Sequence, residues 1–322
     1  MNLTGVRGQG AWLAGLFVAV MAIVPWLVPS YTTFELTYAG AYVIAIIGLV
    51  ILIGTCGQIS LGHGAFVAMG GYAVAILAQH FGFPVWASIA IGALICGLFG
   101  IVLGLIALRL EGVYMALATF ALAVAVPSIL KRFKSVTGGV GGITLNPVSV
   151  PAPLHSLFTP ERWTYYWTWG LLALLFIATW YLLRGRIGRS FRALRDDENA
   201  AVAFGVNPQI YKSLAFAWSA AYAGIGGGIL AVATAYVSPD TYGFTLSLTL
   251  VIGAVLGGLD LLWGAVLGGI LVEFLPLWTQ KINSAAPSVV YGVALIAVMI
   301  ALPGGIAGAV RHIFHKTATR TP

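Results

Sequence analysis

Ionisable and polar side chains interrupt the apolar runs of this sequence in only a few places, and those are where chemistry could be done. Glu273 is the clearest, with Asp260 at the edge of the same run. A carboxylate at that depth is costly in hydrocarbon, so Glu273 marks either a path for solute or a pairing point across an interface with another chain. The stretch Gly57 to Ala65 sets Gln58, Ser60 and His63 among glycines that weaken a helix. Backbone freed from helical bonding at membrane depth must be buried in protein or line a watery cavity, and broken helices of this kind present their ends to polar solutes. Two readings stand for it: a cavity-lining break, or a turn between two ordinary spans with His63 hydrogen-bonded in place. A second break is expected at Gly224 to Gly228, where each glycine costs a helix roughly 1 kcal/mol relative to Ala.

The densest charge lies in Arg189 to Pro208. Its punctuation predicts one short helix over 190–204, capped by Ser190, with Arg192 and Asp196 spaced to pair at i and i+4 and Ala200, Ala201 and Ala203 favouring helix. Gly205 suits the left-handed residue past the end. Asn207 then caps a second helix with Pro208 in its first position, which runs on into an apolar span. A short helix joined to a span by a tight turn is a lever. No Gly-x4-Gly-Lys-Ser/Thr phosphate loop, metal-ligand spacing or nucleophile elbow occurs, so no catalytic or metal-binding residue is assigned and the chain is not expected to hydrolyse ATP. Cys56 and Cys96 fall at apolar positions and read as small buried hydrophobes.

These groups are positioned by elements of one kind. Of 322 residues, 60% are hydrophobic and only 8% charged, and the mean hydropathy is +0.98. Such a composition excludes a soluble globular domain and predicts an all-α polytopic membrane protein, a single permease-like domain over 1–322. Apolar runs long enough to span bilayer are expected at 11–29, 36–54, 63–79, 85–108, 112–130, 165–183, 213–236, 244–258, 260–279 and 288–302, about ten in all within a range of about 8–10. The first run lacks a small-x-small cleavage site and is read as a retained helix. The net charge of +7 is a topology signal, since its Lys and Arg lie between spans and not on a soluble face. With both termini cytoplasmic, most basic residues fall inside, leaving Lys131, Arg132, Lys134, Arg162 and Lys281 outside. Segment 131–164, with its Gly138 to Gly142 cluster and four prolines, is then an irregular external loop, and 184–212 is the cytoplasmic lever. Gly253 to Gly258 and Gly264 to Gly269 repeat a small-xxx-small surface suited to close helix packing. Gly57, Leu61, Gly64 and Ala65 also recur as Gly257, Leu261, Gly264 and Ala265, a faint internal echo.

Importers of the ATP-binding cassette type carry a cytoplasmic Glu-Ala-Ala, three residues, Gly motif. Asn199 Ala200 Ala201 followed after three residues by Gly205 resembles it, with Asn in place of Glu and without the downstream Ile-x-Leu-Pro. The flanking Arg186 to Glu198, Gly57 to Phe66, and Leu256 to Leu259 with Trp263 and Gly264 are similar to permease subunits of branched-chain amino acid importers, and closer to the second of the two paired subunits. The resemblance covers roughly 36–305. It implies a homologous second permease, two cytoplasmic ATPase subunits that bind the ATP, an extracytoplasmic solute-binding protein, no cofactor in this chain, and a bacterial inner membrane location. With the lever it makes Arg192, Arg195, Asp196, Asp197, Ala200, Ala201 and Gly205 ATPase-coupling residues, while the polar interruptions read above, Gln58, Ser60, His63 and Glu273, are the substrate-path candidates; the solute it implies is leucine, isoleucine, valine or a related one. The rival reading is an ion-coupled secondary transporter, which would draw on Glu273 and His63.

Overall fold

A computed structural model describes residues 21–110, 112–154 and 157–280, and beyond these 290, 292–293, 296–297, 300 and 304–309. The helices are α1 (Ser30–Leu49), continued by a π-helical turn Val50–Thr55, α2 (His63–Phe81), α3 (Val85–Ile106), α4 (Val113–Arg132), α5 (Pro160–Arg184), α6 (Arg186–Asp196), α7 (Glu198–Ala203), α8 (Pro208–Thr234), α9 (Phe244–Gly257) and α10 (Leu262–Gln280). Among the described residues seven helices are long and apolar enough to cross a membrane, and α9 is a shorter apolar one. Every interior run of the sequence therefore has its helix. The run at 11–29 is described only from residue 21, with 21–27 helical, and the run at 288–302 lies almost wholly outside the described residues.

The first boundary moves. α1 starts at Ser30, after Pro29 in extended conformation, because its polar first turns need no water. Thr33 and Thr37 donate their hydroxyls back to the carbonyls of Pro29 and Thr33, and Thr33, Glu35 and Thr37 all face inward.

α8 is the hub. It packs most extensively on α3, then on α2 and α1, and is buried along most of its length. The expected break at Gly224 to Gly228 is absent, since α8 runs unbroken through it. Those glycines instead admit neighbouring backbones: a Cβ on Gly227 would lie 1.9 Å from the Val67 carbonyl oxygen, and one on Gly70 would lie 2.1 Å from that of Gly224. The repeated small-residue surfaces of α9 and α10 meet in the same way, Gly253 on Gly268 and Gly257 on Gly264. Tertiary packing outweighs the helix propensity of glycine here.

The two polar segments lie at opposite ends, joined by α5. At the loop end, Ile143–Thr144 (β1) pairs antiparallel with Tyr236–Val237 (β2), and Lys131 pairs with Asp240, so the segment expected as an irregular loop contains paired structure. At the other end, the lever end, lie α6, α7, the end of α1 and the turn between α9 and α10.

Candidate coupling and translocation site

The lever differs in detail from the expected single helix over 190–204. It is two helices, starting at Arg186 and broken at Asp197. Asp197 adopts φ −160°, ψ 112°, and its carboxylate accepts the Ala200 N–H at 3.0 Å, which makes it the cap of α7 and ends α6. The Arg192–Asp196 pair does not form. Arg192 donates to the Leu183 carbonyl at 3.2 Å, and Asp196 takes Arg195 Nε at 3.2 Å. α6 buries Gly188, Phe191 and Leu194 and turns its charges outward.

The turn into α8 is as expected. Gly205 has φ 82°, the Val206 N–H reaches the Ala201 carbonyl at 3.0 Å and the Gly205 N–H reaches that of Val202 at 2.9 Å, the paired bonds of a Schellman ending. Asn207 caps α8 by accepting the Gln209 N–H at 2.9 Å. Ala201 is buried against its own chain. Asn199, Ala200, Val202, Ala203 and Phe204 are exposed, Phe204 by 89%. Phe204 escaped the sequence reading, although a large apolar residue beside a helix-ending glycine in a polar segment was its signal.

Two cations tie the lever to the bundle. Lys212 of α8, 2% exposed, donates to Glu198 of α7 at 2.6 Å. Arg195, at the end of α6, donates from Nη1 to the Gly54 carbonyl at 2.6 Å and lies 3.3 Å from Asp260 in the α9–α10 turn. The Asp260 partner is 69% exposed, so this ion pair contributes about 0–1 kcal/mol. The partly buried, charge-assisted bond to Gly54 is the stronger of the two, about 1.5–3 kcal/mol. It caps the carboxyl end of the first span with positive charge, as the helix dipole favours. Glycines make the junction possible. A Cβ on Gly54 would lie 2.0 Å from the Leu259 carbonyl oxygen, and Gly57, at φ 73°, leaves room for the Arg195 stem. The two arms of the faint internal echo thus meet at one arginine. Burial pushes the neighbouring Cys56 thiol up to about 12, so it stays protonated at neutral pH.

From that junction residues 57–62 run without helical structure to the start of α2. Two helices act as rulers for its depth. His63 Nε2 lies 3.2 Å from Ser219 Oγ, about 16 Å of helix from the start of α8, and the Gly64 N–H donates to Ser247 Oγ at 2.8 Å, about 15 Å from the lever-end terminus of α9. The amino end of α2 therefore sits well inside the bundle and not level with the lever-end termini of α8 and α9. Its freed N–H groups are satisfied by side chains: Leu61 donates to Thr119 Oγ1 at 2.9 Å and Gly62 to Ser60 Oγ at 3.4 Å. Ser60 and His63 are fully buried, whereas Gln58 is half-exposed and Ile59 44% exposed, so one side of the segment is open. Ser219 Oγ donates to the Gly48 carbonyl at 2.8 Å, leaving its lone pairs for a proton on His63 Nε2, while Nδ1 has no hydrogen-bond partner among the described residues.

Glu273 does not join this group. It lies toward the loop end close to Glu35 on α1, and Tyr31 is the next polar side chain beside Glu35. Glu35 escaped the sequence reading because the second expected run was started at 36, one residue after it. Among the described residues no cluster of His, Cys, Asp and Glu could hold a metal ion.

Residues 31–302 match the protein family described as "Branched-chain amino acid transport system / permease component". The chain is 30% identical over 319 residues to the high-affinity branched-chain amino acid transport system permease protein LivM of Escherichia coli (strain K12), covering 92% of this chain and 75% of that protein. It is 25% identical to LivH of the same organism, over 84% of this chain and 92% of LivH. A shorter likeness, 27% over 55% of this chain, reaches the autoinducer 2 import system permease protein LsrC of Yersinia pestis (strain Pestoides F). No solved structure matches the chain.

Proposed function

This chain belongs to the family of branched-chain amino acid transport system permease components, and from that premise we propose that it is one of two membrane subunits of an ATP-driven importer of leucine, isoleucine and valine or a closely related solute. Its partners are a homologous second permease, two cytoplasmic ATPase subunits and a soluble binding protein that presents solute at the loop end. The lever end faces the cytoplasm, both termini with it, and the full span count is about ten. The chain lies as a multi-pass protein in the bacterial inner membrane, a reading supported by seven described helices long and apolar enough to cross and by the relatives named above.

The observation that carries this reading is the exposed α7 tip joined by a rigid Schellman turn to the most buried helix of the bundle. ATPase closure pushes on Ala200, Val202, Ala203 and Phe204, an apolar surface that water alone has no reason to keep. The push reaches α8 through Gly205 and through the Glu198–Lys212 pair, and α8 carries α1, α2 and α3 with it. Access to the central path then alternates between two states whose populations ATP shifts. Segment 57–62, with Gln58 and Ile59 on its open side, lines that path.

The Glu35–Glu273 pair is the feature that favours the ion-coupled alternative. Vesicles reconstituted with the partner subunits separate the two. The importer reading requires leucine uptake that depends on internal ATP and survives a protonophore; uptake that continues without ATP and collapses with the protonophore overturns it.

A further inference from the structure

We propose that Arg195 is a positioning residue that carries lever motion into the non-helical segment 57–62, so that ATPase closure drives the inner gate directly as well as through α8. The inference rests on the importer reading and adds a second route of force within it.

The sequence makes Arg195 an ATPase-coupling residue, and its guanidinium points toward the bundle. It bonds the Gly54 carbonyl at 2.6 Å and faces Asp260 at 3.3 Å, so that one side chain joins the end of α6 to the end of the first span and to the α9–α10 turn. The three pieces are in tight register there: the Leu259 carbonyl occupies the space of a Gly54 side chain, and the Arg195 stem occupies that of Gly57. Displacement of α6 therefore cannot leave residues 54–57 behind without breaking that bond. Helical regularity is already relaxed at this point, through the π turn Val50–Thr55 and the left-handed Gly57, so residues 57–62 can be displaced while α1 keeps its packing. The far end of the segment is held by Thr119, Ser219 and Ser247 on three other helices. A segment driven at one end by α6 and held at the other by α4, α8 and α9 must change its path whenever α6 moves relative to those helices, and its open side carries Gln58 and Ile59.

The test uses the complete reconstituted complex and compares Arg195→Ala and Arg195→Lys with the unmodified chain. Three quantities are read: co-purification of the ATPase, ATP hydrolysis, and leucine imported per ATP. A spin label at Ile59→Cys reports the segment itself, the native thiols being buried. Arg195→Ala is expected to keep the ATPase bound and hydrolysing, lose tenfold or more of leucine imported per ATP, and abolish the ATP-dependent change in the Ile59 label. Arg195→Lys, which keeps one cationic contact, recovers part of both. A merely structural role would lower hydrolysis and import together and leave the ratio unchanged. That result overturns the proposal, as does loss of ATPase association in Arg195→Ala or an unaltered label response. Absence of ATP-driven uptake in the unmodified complex would instead sink the importer reading and this inference with it.

Discussion

Lys212 and Glu198 form an unequal pair, since Lys212 is 2% exposed and Glu198 36%. Removing the carboxylate strands a buried ammonium, whereas removing the lysine leaves a carboxylate that can hydrate. Glu198→Ala should therefore destabilise the purified chain by about 3–5 kcal/mol, and Lys212→Met by about 1 kcal/mol or less. Thermal unfolding in detergent checks the order; equal effects would mean that the pair is wetter than its burial indicates. Gly205 poses a purely local question, because nothing lies within 4 Å of the side chain it lacks. Gly205→Val should cost about 1–2 kcal/mol from the left-handed backbone alone and uncouple hydrolysis from transport, while Gly205→Asn, which tolerates that conformation, should be close to neutral. Ala201→Asp acts differently: buried within its own chain, it should reduce folded yield before it affects ATPase docking.

Among the elements, α8 and the start of α2 set the tolerances. Gly227→Ala would place a methyl 1.9 Å from the Val67 carbonyl, so α8 and α2 must part, and overpacking of this kind costs about 1–3 kcal/mol or more. Ser219→Ala removes the one hydrogen-bond partner of the His63 ring among the described residues, and with it the bond to Gly48; about 1–3 kcal/mol and slower uptake are expected. Uptake unchanged in Ser219→Ala would separate the hydroxyl from the gate. These elements also show what sequence can carry. Gly205, Asn207 and Pro208 were readable because capping is decided within a few residues. The split at Asp197 was missed although the residue is a good cap, because the i,i+4 spacing of Arg192 and Asp196 suggested continuity that tertiary contacts with Leu183 and Gly54 override. Gly224 to Gly228 and Gly253 to Gly269 have the same composition signal; the sequence predicts a break at the first and packing at the second, and the structure packs both, since a glycine's meaning depends on which backbone lies against it.

At the scale of the whole molecule, orientation is the testable quantity. Single cysteines at Val140, exposed at the loop end, and at Ala203, exposed on α7, should respond oppositely to an impermeant thiol reagent on intact cells. Val140→Cys should label at once and Ala203→Cys only after permeabilisation; the reverse pattern inverts the protein in the membrane. The basic-residue count suggested this orientation, yet it could not place Glu35 beside Glu273, which are far apart in sequence and meet only when α1 packs on α10. One property of the assembled bundle bears on how it is made. The amino end of α2 depends on Thr119 of α4 and Ser247 of α9 for its hydrogen bonds, and Ser247 is synthesised long after α2 leaves the ribosome. Until α9 arrives, the start of α2 has exposed amide groups that lipid cannot satisfy. The nascent chain must keep that stretch wet, in the insertion machinery or at the interface, and a product terminated before Phe244 would present it as an unfinished surface open to membrane proteases.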